Sequence, residues 1–336
     1  MIKTLKYHLV ALVILQVALC FLYGYHKVYD KRPFSIHQWR QTDCASFTKN
    51  YYEEGMHFLQ PEIHWQGNMA GKTVSEFPLI NYTVACLWNV FGEHEYLYRF
   101  TVLTIYSIAL LFLFAMVYST SGSLIYSYFA TGIITTSPVL AYYSFSFLAD
   151  VPALSFAVIS LSLFFIFLKS KNQKQFIFSV LFATLAVLLK ASSATVLGII
   201  GIISIAGLSG FSEKLSVQGK LFTVKLIPLM SFLVSGIIIC GWYYFAYSYN
   251  NENSNGVFLM ETLPIWKMDD KVIETSRLLY SDQLAMCFNK GVWFFITVVT
   301  GWLLLNISRL KGFLKISLVL SLLSFFFVSN FVFSGV

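Results

Sequence analysis

Charge is what this sequence has least of. Only 12% of its 336 residues are Asp, Glu, Lys or Arg, against about a quarter in soluble domains, which excludes an ordinary water-soluble globule. Cysteine is also sparse, and Cys20, Cys44, Cys86, Cys240 and Cys287 show no CxxC spacing. Cys20 and Cys240 sit in hydrophobic runs as small apolar groups. Cys44 and Cys287 are the pair left to meet outside in an oxidising compartment. Few glycines and few alternating short segments argue against an outer-membrane barrel. No Gly-rich phosphate loop, nucleophile elbow or repeat period is present.

What is there is apolar: 57% of residues are hydrophobic and 18% aromatic, with a mean hydropathy of +0.69. The composition predicts an all-α, polytopic transmembrane helix bundle. The 33 Phe and 20 Tyr suit lipid-facing helices with aromatic belts at their ends. The net charge of +7 is a topology signal rather than a sign of nucleic acid, because cytoplasmic loops gather Lys and Arg.

A window of about 20 residues per span yields nine predicted spans, near 10–23, 100–118, 124–147, 151–168, 176–189, 193–208, 221–247, 292–306 and 313–333. Lys3 and Lys6 put the N-terminus in the cytoplasm, and without a small-residue cleavage site after Leu22 the first span reads as an uncleaved anchor. Lys169, Lys171 and Lys174, then Lys214, Lys220 and Lys225, then Arg309 and Lys311 all fall inside in one orientation. External connections follow at 25–99, around Asp150, around Lys190 and at 249–290. The run 79–91 is too short to cross and reads as an interfacial helix on the external face. Residues 1–210 form one region, a core with its first external loop at 25–99; residues 211–336 add further spans and the second loop. That second loop holds Trp266, Asp269, Asp270, Arg277, Tyr280 and Asp282, and its Asn-rich start at Asn250, Asn251, Asn253 and Asn255 predicts a mobile lid.

Polar chemistry concentrates in His37-Gln38-Trp39-Arg40-Gln41-Thr42-Asp43 and in Glu76-Phe77-Pro78. Each residue has a local reading. Trp39 and Arg40 anchor a helix end at headgroups, and Asp43 either caps the helix or, three residues from Arg40, pairs with it on one helical face, unless Arg40 lies before the helix start. Glu76 before Pro78 opens a helix, Asp150 before Pro152 caps one, and Lys190 ends an apolar run. Together, however, three carboxylates and two cations reach one membrane face. Ionisable groups at membrane depth cost roughly 2.5–3.5 kcal/mol each on insertion scales and are usually paired or functional. Cations that hold a phosphate beside a carboxylate that takes a proton from an attacking hydroxyl are what a phosphorylated lipid substrate requires.

The order Trp39-Arg40-x-x-Asp43, Glu76-Phe77-Pro78, a short aromatic helix ending Phe91-Gly92, Arg99, Leu148-Ala149-Asp150-Val151-Pro152 and Lys190 resembles the GT-C membrane glycosyltransferases. It is most similar to the protein O-mannosyltransferase-like group that includes the lipid A aminoarabinose transferases. The resemblance runs over about Lys3 to Gly210. It implies inverting transfer of a sugar from a polyprenyl-phosphate donor to a lipid, glycan or protein acceptor on the non-cytoplasmic face, in a bacterial inner membrane.

By the same resemblance, Asp43, Asp150 and Glu76 are the catalytic candidates, Lys190 and Arg40 the donor-phosphate contacts, and Trp39, Gln41 and Tyr280 the substrate contacts. Cys44 follows Asp43 where relatives commonly carry a second acidic residue, and Phe77 follows Glu76 where the aminoarabinose transferases have Lys. No cofactor is required by the motifs. A divalent metal near Glu76 is an open alternative, with His57, His64 and His94 as external imidazoles lacking HxxxH-type spacing. The chain is shorter than is usual for the family and ends directly after an apolar run, as a minimal member or a truncated one. The competing classes are a transporter or flippase of lipid-linked sugars and a non-catalytic membrane scaffold.

Overall fold

The computed structural model describes residues 2–64, 71–209, 220–253, 262–264, 268–310 and 312–334. The first helix, α1 (Ile2–Leu22), is closed by Gly24 in the left-handed conformation at φ 74°, a geometry glycine adopts without the Cβ penalty of other residues. The segment that follows carries α2 (Gln38–Glu53) and α3 (Leu79–Phe91), with Glu62 and Lys72 bridged between them. In α3 the buried residues Ile80, Val84, Ala85 and Trp88 recur at helical spacing and form one inward stripe. The predicted short helix at 79–91 is thus present between the same bounds.

Then come α4 (Glu95–Ser121), α5 (Leu124–Thr135), α6 (Pro138–Tyr143), α7 (Asp150–Ser170), α8 (Gln173–Leu189), α9 (Ala194–Leu208) and α10 (Leu226–Asn253). Helices α11 (Asp270–Cys287), α12 (Lys290–Leu305) and α13 (Gly312–Phe331) complete the helical set. Two three-residue strands, β1 (Thr262–Pro264) and β2 (Val332–Ser334), pair antiparallel with Leu263 opposite Phe333.

Among the described residues, five helices are long and apolar enough to cross a membrane: Leu5–Leu22, α4, α7, Ala191–Leu208 and α10. A sixth arises if α11 and α12, bent by 95°, act as one. The nine full-length spans expected from hydropathy are therefore not nine long helices. The stretch 124–147 is broken at Thr136 and Ser137, where the Ser137 hydroxyl accepts from the Leu140 amide and Pro138 opens a new turn. Twelve residues of α5 reach only about 18 Å, short of a bilayer core of about 30 Å. Helix α8 is apolar but has 17 residues. The lid expected from the Asn-rich stretch also fails at its start: α10 continues through Asn253, and Asn250 is buried. Asn255 lies outside the described residues.

Helix α7 occupies the centre, packed between α4 and α8. Small polar residues line these seams and let the backbones approach, as in other membrane bundles. The Ser160 hydroxyl donates to the Ser179 carbonyl at 2.7 Å, and Thr184 meets Ser235 of α10 at 2.7 Å. One apolar cluster joins α7, α8 and α9 through Phe164, Phe167, Phe176 and Ile200. A second joins α3, α4 and the start of α7 through Trp88, Tyr98, Val102 and Phe147, directly beneath the polar face.

Candidate active site

Helices α7 and α8 form an antiparallel pair, so the first residue of α7 and the residue closing α8 finish at the same end. Those residues are Asp150 and Lys190, and the lysine ammonium donates to Asp150 Oδ1 at 2.5 Å. Each charge complements its helix dipole, anionic at the N-terminus and cationic at the C-terminus.

From the other side, Arg40 in the first turn of α2 donates through Nη2 to Glu76 Oε1 at 2.8 Å and to Asp150 Oδ2 at 3.3 Å. The result is a chain of alternating charge, Glu76, Arg40, Asp150 and Lys190, with side chains 21–37% exposed. All four are partly shielded yet reachable. Burial works against the Arg40 charge, but Asp150 and Glu76 outweigh it and hold the guanidinium pKa above its ordinary value. Burial and the neighbouring Asp150 push the Glu76 carboxyl up, opposed by Lys190 and Arg40.

Asp43 is the odd carboxylate. The predicted Arg40–Asp43 pair does not form: Arg40 is turned toward Glu76 and Asp150, and among the described residues Asp43 has no ion pair or side-chain hydrogen bond. Burial pushes its pKa up to about 6, with the Arg40 charge pulling the other way. A carboxylate with that pKa is ionised at neutral pH yet basic enough to take a proton. Cys44 beside it is a free thiol, and burial together with the Glu76 charge keeps it protonated. Cys287 is free as well, so the external disulfide does not form.

The turn before α2 sets these directions. His37 has φ 51°, a left-handed conformation that costs a non-glycine residue energy and needs its surroundings to hold it. Gln41 supplies part of that hold. Only 1% exposed, its amide donates to the Phe34 and Ile36 carbonyls at 3.3 and 2.8 Å, and its oxygen accepts from the Phe147 amide at 3.4 Å. Expected as a substrate contact, Gln41 is instead spent on the chain's own backbone.

Arg99 does similar work one layer down. Buried without a carboxylate, it donates to the Phe145 carbonyl at 2.6 Å and the Lys31 carbonyl at 2.8 Å, with the Phe147 ring 4.6 Å away. It thereby ties the start of the external segment to the loop that leads into Asp150.

Trp39, next to Arg40 in the first turn of α2, is 52% exposed. Tyr280 lies on α11, and its side chain is outside the described residues. A metal finds no fitting donor set: among the described residues no three His, Cys, Asp or Glu gather, and Glu76 is neutralised by Arg40. Of the external imidazoles, His64 is engaged with the Ser46 hydroxyl at 2.7 Å. The residues the sequence reading missed are Asn250 and Trp242 on α10. Asn250 reaches the strand-like backbone at Val74, and Trp242 packs on Phe77 with ring centroids 4.8 Å apart. Sequence held one usable signal for Asn250, an uncharged polar residue continuing a helical apolar face.

Residues 75–238 match the family described as dolichyl-phosphate-mannose-protein mannosyltransferase, a stretch that contains Glu76, Asp150 and Lys190 but not Arg40 or Asp43. Among solved structures, the fold is similar to apo ArnT from Cupriavidus metallidurans, with a TM-score of 0.57 and 12% identity over 94% of this chain. The chain spans 59% of the length of that structure. A comparison with curated proteins finds no match. The fold is that of a polytopic membrane helix bundle similar to the GT-C fold. In sequence over residues 75–238 and in fold, the chain is similar to the protein mannosyltransferase-like glycosyltransferases.

Proposed function

We propose that the chain is a membrane glycosyltransferase that moves a sugar from a polyprenyl-phosphate donor to a lipid, glycan or protein acceptor at the non-cytoplasmic face, with inversion. Its setting on this reading is a bacterial inner membrane with the N-terminus in the cytoplasm. The observation that carries the reading is Asp43 standing unpaired, with a pKa near 6, beside an Arg40 and a Lys190 that share one carboxylate, Asp150.

A donor phosphate would compete with Asp150 for those two cations, which are already oriented and partly desolvated. Asp43 would accept the acceptor hydroxyl proton as that oxygen attacks the sugar carbon, and the phosphate would leave with the bonding electrons, stabilised by Arg40 and Lys190. Glu76 and Asp150 hold the cations in place between turnovers. Trp39, exposed beside Arg40, offers an aromatic face to sugar or lipid, and Tyr280 on α11 is a further proposed substrate contact. Charges at one face, with a long external segment folded over them, favour this over a transporter, whose charged groups gather near the bilayer midplane.

The test is transfer of labelled sugar from a panel of polyprenyl-phosphate sugars by membranes holding the wild-type chain or Asp43→Asn, with and without chelator. Donor-dependent transfer that disappears in the variant supports the enzyme. Transfer is expected to survive chelation, because Arg40 occupies the carboxylate a metal would use. Absence of transfer from every donor by intact protein would overturn the reading.

A further inference from the structure

Helix α10 comes to the site from the far end of the sequence, and its inward residues touch both arms of the charged cluster. On the Glu76 arm, Asn250 Oδ1 accepts from the Val74 amide at 2.7 Å and the Thr73 hydroxyl at 3.3 Å, while Nδ2 donates to the Val74 carbonyl at 2.7 Å. A primary amide that meets both the N–H and the C=O of one residue reproduces the pairing of an adjacent β-strand. It fixes that residue's position and rotation together. Asn250 is 5% exposed and Val74 1%, so water cannot replace these bonds.

Two residues beyond Val74 comes Glu76, and beyond it Phe77, which Trp242 meets edge to face with an interplanar angle of 86°. Glu76 is thus held from both sides by one helix, at positions two turns apart. On the other arm, the Tyr243 hydroxyl donates to the Val187 carbonyl at 2.9 Å, three residues before Lys190. Leu188 shares a buried cluster with Val74, Trp242 and Ala246. Trp242, Tyr243 and Asn250 all lie beyond the stretch that matches the family.

We propose that Asn250 is a positioning residue: through its two-point bond to Val74, α10 fixes Glu76 against Arg40 and, with Tyr243, sets the spacing between the Glu76 and Lys190 arms. The phosphate-binding part of this statement rests on the transferase reading; the brace itself does not. Removing the brace lets the 73–77 segment move, so Glu76 loses its register with Arg40 and the cation is no longer aimed.

The experiment uses the full chain in detergent or nanodiscs, as wild type, Asn250→Ala, Asn250→Asp, Glu76→Gln and the Glu76→Gln/Asn250→Ala double variant. Asn250→Asp retains shape and the acceptor for Val74 N–H but removes the donor to Val74 C=O, so a fold that does not survive truncation can still be tested. Hydrogen exchange is read first. Amides 73–77 should exchange about tenfold faster or more in Asn250→Ala, with α7 and α8 unchanged, because a buried hydrogen bond of ordinary strength is lost. Unchanged exchange at Val74 in both Asn250 variants overturns the brace.

Binding of a short-chain polyprenyl phosphate is read second. Asn250→Ala should weaken it by about fivefold or more in the wild-type background and add little in the Glu76→Gln background, the non-additivity expected of residues acting through one another. Full additivity of the two substitutions overturns the positioning role, since a merely structural loss would multiply. Faster exchange at 73–77 with no lipid binding by the wild-type chain supports the brace and refutes the phosphate-site reading instead.

Discussion

Lys190 and Asp150 meet at 2.5 Å across the open end of the α7–α8 pair, and Asp150 is shared at 3.3 Å with Arg40 from the external segment. The carboxylate therefore keeps two cations side by side without a bound anion. On the transferase reading, a donor phosphate would compete with Asp150 for both cations.

Lys190→Ala is expected to raise the donor KM by about tenfold with a smaller effect on kcat, since one charge-assisted contact to phosphate is removed. Donor titration against a fixed acceptor measures it. An unchanged KM would refute the phosphate role of Lys190.

Asp43→Asn is expected to abolish transfer while leaving insertion and expression intact, because the amide preserves shape and removes the proton acceptor. The pH dependence follows from the raised pKa. Asp43 is ionised only above about pH 6, so wild-type transfer should rise through pH 6 and level off above it. Folding stability should change in the opposite sense. Between the ordinary carboxylate range and pH 6 the folded protein holds a proton that the unfolded chain has released, so rising pH destabilises the fold. Asp43→Asn should then be more stable than wild type at pH 7.5, on the order of 1 kcal/mol after solvent screening, and equal to it at pH 4. Thermal unfolding at both pH values decides.

Arg40→Lys keeps the charge, but its shorter, strongly hydrated ammonium has to reach both carboxylates that Nη2 of Arg40 serves and loses the planar guanidinium geometry. The expected result is a loss of about 1–2 kcal/mol in stability, less than the 3–5 kcal/mol of a fully buried broken pair, with a higher donor KM. A variant with wild-type melting temperature and KM would show that Arg40 does not bridge the two carboxylates.

Gln41→Leu separates a strut from a substrate contact. The carbonyls of Phe34 and Ile36 keep the Tyr142 hydroxyl but lose the Gln41 amide, and the Phe147 amide loses its acceptor, so stability should fall by about 1–2 kcal/mol, while donor and acceptor KM of the folded fraction stay the same. A selective rise in either KM would restore Gln41 to the substrate-binding set.

Arg99→Ala should be the most destabilising of these changes, by about 3 kcal/mol, because the buried Phe145 carbonyl and the part-buried Lys31 carbonyl lose their charged donor and a buried cavity is left. Chemical denaturation against wild type measures it, and a shift below about 0.5 kcal/mol would sink the structural role, being the scale of an ordinary surface substitution.

Sequence alone determined the membrane class, because 57% apolar residues leave no other solvent for the helices. It also determined the bounds of α3, where Pro78 and Gly92 delimit the helix by local backbone chemistry, and it placed Asp150 and Lys190 at one end of the bundle, because two apolar runs joined by a short polar turn fold back antiparallel. The break at Ser137 and Pro138 was legible but outweighed by hydropathy averaged over a window, which sees composition and not caps. Only the tertiary structure decided the partners. Arg40 has Asp43 three residues away yet bonds to Glu76 and Asp150, 36 and 110 positions distant, since the left-handed turn at His37 and the Gln41 latch aim it across the site. The same holds for Asn250, whose tie to Val74 spans 176 positions. A hydrogen bond needs two groups within about 3 Å at the correct angle, and that condition is set by how α10 packs against the rest, which no local pattern of residues encodes.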